Sequence, residues 1–87
     1  MELVCGGRAI RLGQKEFLLL DVLMANKTHI VPKDTLAEKV WGPDDMTEYN
    51  SVEVYVSFLR KKLSLLGSHV QIRAARNIGY SLEERSE

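Results

Sequence analysis

From Asn50 to Leu66 the chain runs without a glycine or proline, and Val52, Val56, Leu59, Leu63 and Leu66 step by four, three, four and three residues. That spacing follows the 3.6-residue period of an α-helix and lines the five side chains along one stripe. The segment is therefore expected to be a helix with one face buried. Asn50 or Ser51 caps it, Glu53 lies near its positive N-terminal end, and Gly67-Ser68 closes it. Away from the stripe it carries Ser51, Val54, Tyr55, Ser57, Phe58, Lys61 and Lys62. Such a helix needs a scaffold on one side and leaves the other free to meet a partner.

The flanking residues supply that scaffold. Glu2 to Cys5 and Ala9 to Leu12 read as short strands around Gly6-Gly7, a favoured hairpin turn pair. Gly13-Gln14 opens a helix. From Lys15 to Asn26, Phe17, Leu19, Leu20, Leu23 and Met24 form one apolar face, broadened by Leu18 and Val22. His29-Ile30-Val31 is a short β-like piece. Pro32 presets the first turn of a helix from about Lys33 to Trp41, with Leu36, Val40 and Trp41 as its buried positions and Gly42-Pro43 as its stop. A polar, acidic loop from Asp44 to Tyr49 leads to the long helix. Beyond that helix, Val70 to Ala75 and Gly79 to Leu82 read as two strands joined through Arg76-Asn77-Ile78. The expected architecture is α+β in one domain, residues 1–87: short N-terminal strands, three helices and a C-terminal hairpin.

Composition narrows the function classes. The 87 residues suffice for one small domain. Hydrophobic residues at 45% and charged residues at 28% suit a soluble folded chain. No apolar run approaches the roughly 20 residues of a membrane helix, and the N-terminus lacks the basic head and apolar stretch of a signal peptide. The single cysteine, Cys5, has no partner for a disulfide or a CxxC zinc site. It reads as a small strand residue in a protein of the reducing cytoplasm. His29 and His69 lack metal-ligand spacing. No Ser/His/Asp, Cys/His or paired-carboxylate set points to an enzyme, and neither cofactor nor metal is expected. The net charge is zero, which is unusual for a nucleic-acid-binding domain. The charges are unevenly spread, however. Between Asn50 and Tyr80 lie Arg60, Lys61, Lys62, Arg73 and Arg76 against the acid Glu53, while acids collect at Asp44, Asp45 and Glu48 and at Glu83, Glu84 and Glu87. A neutral total can hide one basic face.

Helix, loop, helix and hairpin in this order make the winged helix-turn-helix plan. The major groove, about 12 Å wide, admits one helix, and the hairpin wing reaches a neighbouring groove or phosphate strand. Four segments then resemble one family. Residues 10–20, IRLGQKEFLLL, resemble its opening "L-T-x-x-E-F-x-L-L"; residues 36–42, LAEKVWG, its "L-x-x-x-V-W-G"; residues 50–63, NSVEVYVSFLRKKL, its "V-D-V-H-I-x-x-L-R-K-K-L"; residues 72–80, IRAARNIGY, its "I-x-T-V-R-G-x-G-Y". The chain thus resembles the winged-helix DNA-binding effector domain of OmpR/PhoB-type bacterial response regulators. The resemblance implies an upstream phosphorylatable receiver that this chain, as a fragment, lacks, dimeric binding to tandem direct repeats of double-stranded DNA, and an RNA polymerase contact by the acidic loop. It also implies four strands before the first helix, where this chain has room for about two. Phe58 and Ser57 stand where the family often has basic residues, Ala74 where it has Thr and Asn77 where it has Gly. Asn tolerates the left-handed conformation best after Gly.

The expected DNA-binding residues are Asn50, Ser51, Val54, Tyr55, Ser57, Phe58, Lys61 and Lys62 on the long helix, with Arg73 and Arg76 on the wing. The expected polymerase-contact residues are Asp44, Asp45 and Glu48. Arg60 follows core Leu59 and turns either to DNA or to an acid of the scaffold. Trp41 and Tyr80 read as core. The competing reading is a winged helix used for protein interaction, anchored by Val54, Tyr55 and Phe58. Zero net charge and the absent helix arginines favour that alternative, and the cations on one side favour DNA.

Overall fold

A computed structural model describes residues 2–42 and 50–84. Strands β1 (Glu2–Cys5) and β2 (Arg8–Arg11) pair antiparallel, with Leu3 opposite Ile10. Gly6 and Gly7 both take positive φ, 55° and 82°, as a two-residue hairpin turn of right-handed twist requires. Helix α1 (Gln14–Ala25) follows. The backbone N–H of Gly13 donates to Glu16 Oε1 at 2.8 Å, so a carboxylate in the first turn satisfies one of the free N–H groups at the helix start. β3 is short (Val31–Pro32), and Pro32 lies in it as the N-cap of α2 (Lys33–Trp41). Gly42, at φ 98°, ends α2.

Helix α3 (Asn50–Leu66) is the longest element. It closes with paired bonds from Gly67 N to Ser64 O and Ser68 N to Leu63 O, a Schellman arrangement that requires the positive φ of Gly67. Strands β4 (Val70–Ala75) and β5 (Gly79–Glu84) then form a hairpin, and the sheet order is β3-β5-β4, all antiparallel. At the hairpin tip Asn77 is left-handed, φ 64°, as its side-chain type allows.

The core lies between the helices and this second sheet. Leu19, Leu20 and Leu23 of α1, Leu36 and Val40 of α2, and Val52, Val56, Leu59 and Leu63 of α3 meet Ile72, Tyr80 and Leu82. All five residues of the α3 stripe are buried. Helix α1 differs from expectation. Its buried positions are Glu16, Leu19, Leu20 and Leu23, whereas Phe17 is 39% and Met24 60% exposed. Phe17 and Met24 are seven residues apart and so share one stripe, which lies at the edge of the buried face rather than its centre. Glu16 occupies the inward position instead. Strand β2 begins and ends one residue before the expected Ala9–Leu12, and Leu12 turns into the core. Trp41 is half-buried against the core rather than within it.

Candidate nucleic-acid interface

Burying the Val52–Leu66 stripe turns Val54, Ser57, Phe58 and Lys61 outward, and all four are exposed. Their spacing is that of a second helical stripe, opposite the first. Val54 is 46% and Phe58 47% exposed, a large apolar presence for a solvent-facing helix. Tyr55 is only half-buried and sits at the margin of this face. Its ring meets that of Trp41 edge-on (centroids 5.4 Å, 67°) and that of Phe58 likewise (5.6 Å, 79°). The three rings form a ladder from the end of α2 to the middle of α3, and it holds Phe58 at a fixed orientation. Tyr55 is thus more a brace than a member of the exposed patch.

The cations expected on one face divide between two tasks. Lys61 and Arg76 are exposed, and neither forms a hydrogen bond or ion pair among the described residues. Lys62 does not face outward as expected. Its ammonium donates to Glu16 Oε1 at 2.7 Å and to the Arg11 carbonyl at 2.9 Å, joining α3 to α1 and β2. Its side chain is 25% exposed and that of Glu16 9%. One helical step is about 100°, which is enough to carry Lys62 from the outward stripe to the flank where Glu16 lies. Arg60 also serves the scaffold, though through no acid. Its Nε donates to the Ile72 carbonyl at 3.2 Å, and its guanidinium lies over the Tyr80 ring at 5.9 Å. Arg73 reaches Glu83 at 3.4 Å across the hairpin while staying largely in solvent. A pair so exposed contributes at most about 1 kcal/mol and leaves the guanidinium available.

The wing and the recognition side of α3 are linked through the start of α2. Lys33 N donates to the Ile78 carbonyl at the wing tip, and the Lys33 ammonium bonds Glu53 in the first turn of α3. The Glu53 carboxylate raises the pKa of Lys33 above the ordinary lysine value. This pair also neutralises the one acid of α3. Asn50 and Ser51 start α3 but their side chains lie outside the described residues, as do Asp44, Asp45 and Glu48 of the acidic loop.

Three positioning residues escaped the sequence reading. Glu16 was legible as an acid spaced three, four and seven residues from Leu19, Leu20 and Leu23. Arg8 donates to the Leu65 carbonyl at 3.3 Å and ties the N-terminal hairpin to the end of α3, with no local sequence signal. Gly79 is required by proximity, since a Cβ there would lie 2.0 Å from the Val31 carbonyl oxygen.

Residues 7–82 match the family described as "Transcriptional regulatory protein, C terminal". The chain belongs to the OmpR/PhoB-type effector domains. Within that family it is 51% identical over 78 residues to the transcriptional regulatory protein DltR of Streptococcus agalactiae, covering 90% of this chain and 35% of DltR. The chain thus spans about a third of that relative's length. Among solved structures, the DNA-binding domain of Bacillus subtilis CssR superposes with a TM-score of 0.84 at 28% identity, covering 94% of this chain and 90% of that one. The Klebsiella pneumoniae RstA DNA-binding domain, in complex with the RstA box, gives 0.76 at 30% identity, covering 92% and 80%. The fold of this effector domain is accordingly the winged helix-turn-helix, with β4 and β5 as the wing. Its family is one of transcriptional regulators and not a class of enzymes. Among the described residues, no helix is long and apolar enough to cross a membrane.

Proposed function

We propose that this effector domain regulates transcription by laying the outward stripe of α3 in the major groove of double-stranded DNA, with Arg76 at the wing tip reaching an adjacent phosphate or minor groove. The observation that carries this reading is the pairing of an outward helix face with an exposed wing-tip arginine in an effector domain of this family. Val54, Ser57 and Phe58 face the bases, and Lys61 and Arg76 meet the backbone. Arg73 assists from β4, and the first turn of α3 with Asn50 and Ser51 approaches a phosphate. Lys62 and Arg60 hold α3 in place. In the whole protein the domain is the output of a two-component response regulator in the bacterial cytoplasm. There a receiver domain precedes it, two copies sit on tandem repeats, and Asp44, Asp45 and Glu48 face RNA polymerase. The protein-interaction alternative has no support in its relatives, whose solved neighbours include a domain bound to its DNA box.

The test is a salt titration of binding to a random-sequence duplex. With Lys61 and Arg76 free and Arg73 only loosely paired, log K is expected to fall with log salt at a slope of about −1.8 to −2.7. Arg76→Ala should reduce that slope by about one and weaken binding to all sequences alike, with the melting temperature unchanged. Unaltered affinity of Arg76→Ala at low salt would remove the wing from the interface.

A further inference from the structure

We propose that Val54 and Phe58 make this domain a reader of thymine methyl groups, so that the apolar feature of the major groove contributes to the choice of site. The inference rests on the DNA-binding reading above and names what the helix recognises there. Both side chains are about half exposed on the outward stripe, one helical turn apart. Neither has a donor or acceptor, so neither can read the N7 and O6 of guanine, the amino group of cytosine or the edge of adenine. The 5-methyl of thymine is the one apolar group that a base pair presents in the major groove. Four residues of helix rise about 6 Å, a little under two base-pair steps of about 3.4 Å. An α-helix lying along the groove would therefore set the two side chains against methyls about two base pairs apart.

Two further observations favour this occupant. The Trp41–Tyr55–Phe58 ladder fixes the Phe58 ring before any partner arrives, so little side-chain freedom is lost on contact. The surroundings suit a polyanion, because Lys61 lies on the same stripe and the acid Glu53 at its N-terminal end is paired with Lys33. An apolar contact flanked by a free cation and a neutralised acid fits a methyl set within a duplex.

The experiment uses the 87-residue chain and a pool of random duplexes, from which bound sequences are recovered at low salt. A recovered duplex is then resynthesised with deoxyuridine at one thymine position at a time, which removes only the methyl. Wild-type affinity should fall about fourfold at each of one or two positions, the loss expected for one buried methyl. In Phe58→Ala or Val54→Ala the thymine and uracil versions of the corresponding position should bind alike. Equal wild-type affinity for every uracil duplex, or full methyl discrimination by both variants, would overturn the inference while leaving DNA binding intact. Recovery of no duplex at low salt would overturn the DNA-binding reading and the inference with it. Should Phe58→Ala fail to fold, the wild-type comparison and Val54→Ala still decide the matter.

Discussion

Adjacent residues on a helix point about 100° apart, and at Lys61 and Lys62 that angle separates two kinds of work. Lys61 extends into solvent, while Lys62 neutralises a carboxylate that is nearly withdrawn from water, with Glu16 Oε2 buried and without a hydrogen-bond partner among the described residues. Removing one member of a buried pair strands the other, at a cost of about 3–5 kcal/mol when both are fully buried. Lys62 keeps some exposure, so Lys62→Ala should destabilise by roughly 2–3 kcal/mol. Lys61→Ala should leave stability within about 0.5 kcal/mol and weaken binding to random duplex. Denaturant unfolding beside a binding titration checks both. Equal loss of stability in the two variants would show that the faces of α3 are misassigned. The sequence exposed this helix's charge but not its division, because the partner of Lys62 lies forty-six residues away.

At the level of elements, α3 was legible because its stripe is unbroken and both ends carry stop and start signals. Leu59 is fully buried at its centre, and Leu59→Ala should cost about 2–5 kcal/mol by chemical denaturation. Helix α1 was less legible. Eight of the nine positions from Phe17 to Ala25 are apolar, so periodicity alone cannot choose the face, and the buried Glu16 settles which side turns inward. The wing was read from its turn residues, with Asn77 in the conformation its type permits. The constraint at Gly79 was invisible because it comes from the backbone of β3, distant in sequence. Gly79→Ala forces Val31 and Pro32 away from β5, and it should cost about 3 kcal/mol, the upper end of overpacking penalties. Nearby amides of β3 and β5 should lose hydrogen-exchange protection before those of α3. Unchanged protection and stability would show that β3 is free to shift.

On the scale of the molecule, the N-terminal hairpin, three helices and wing share one core, yet the charges within that body are used unequally. Twelve cations balance twelve anions, and several of those near the proposed interface are bound internally: Arg60 to a carbonyl, Lys62 to Glu16 and Lys33 to Glu53. With two or three cations left for phosphate, affinity for random duplex should drop only about 10- to 40-fold between 50 and 200 mM salt, against the 10³–10⁵ typical of six to ten phosphate contacts. The same scarcity governs how the domain finds a site. Sliding along a chromosome depends on phosphate attraction strong enough to hold a protein between hops. A domain this lightly tethered covers little distance per landing and samples sites mainly by repeated three-dimensional encounters. Doubling the copies on adjacent repeats would then lengthen each visit far more than it hastens arrival.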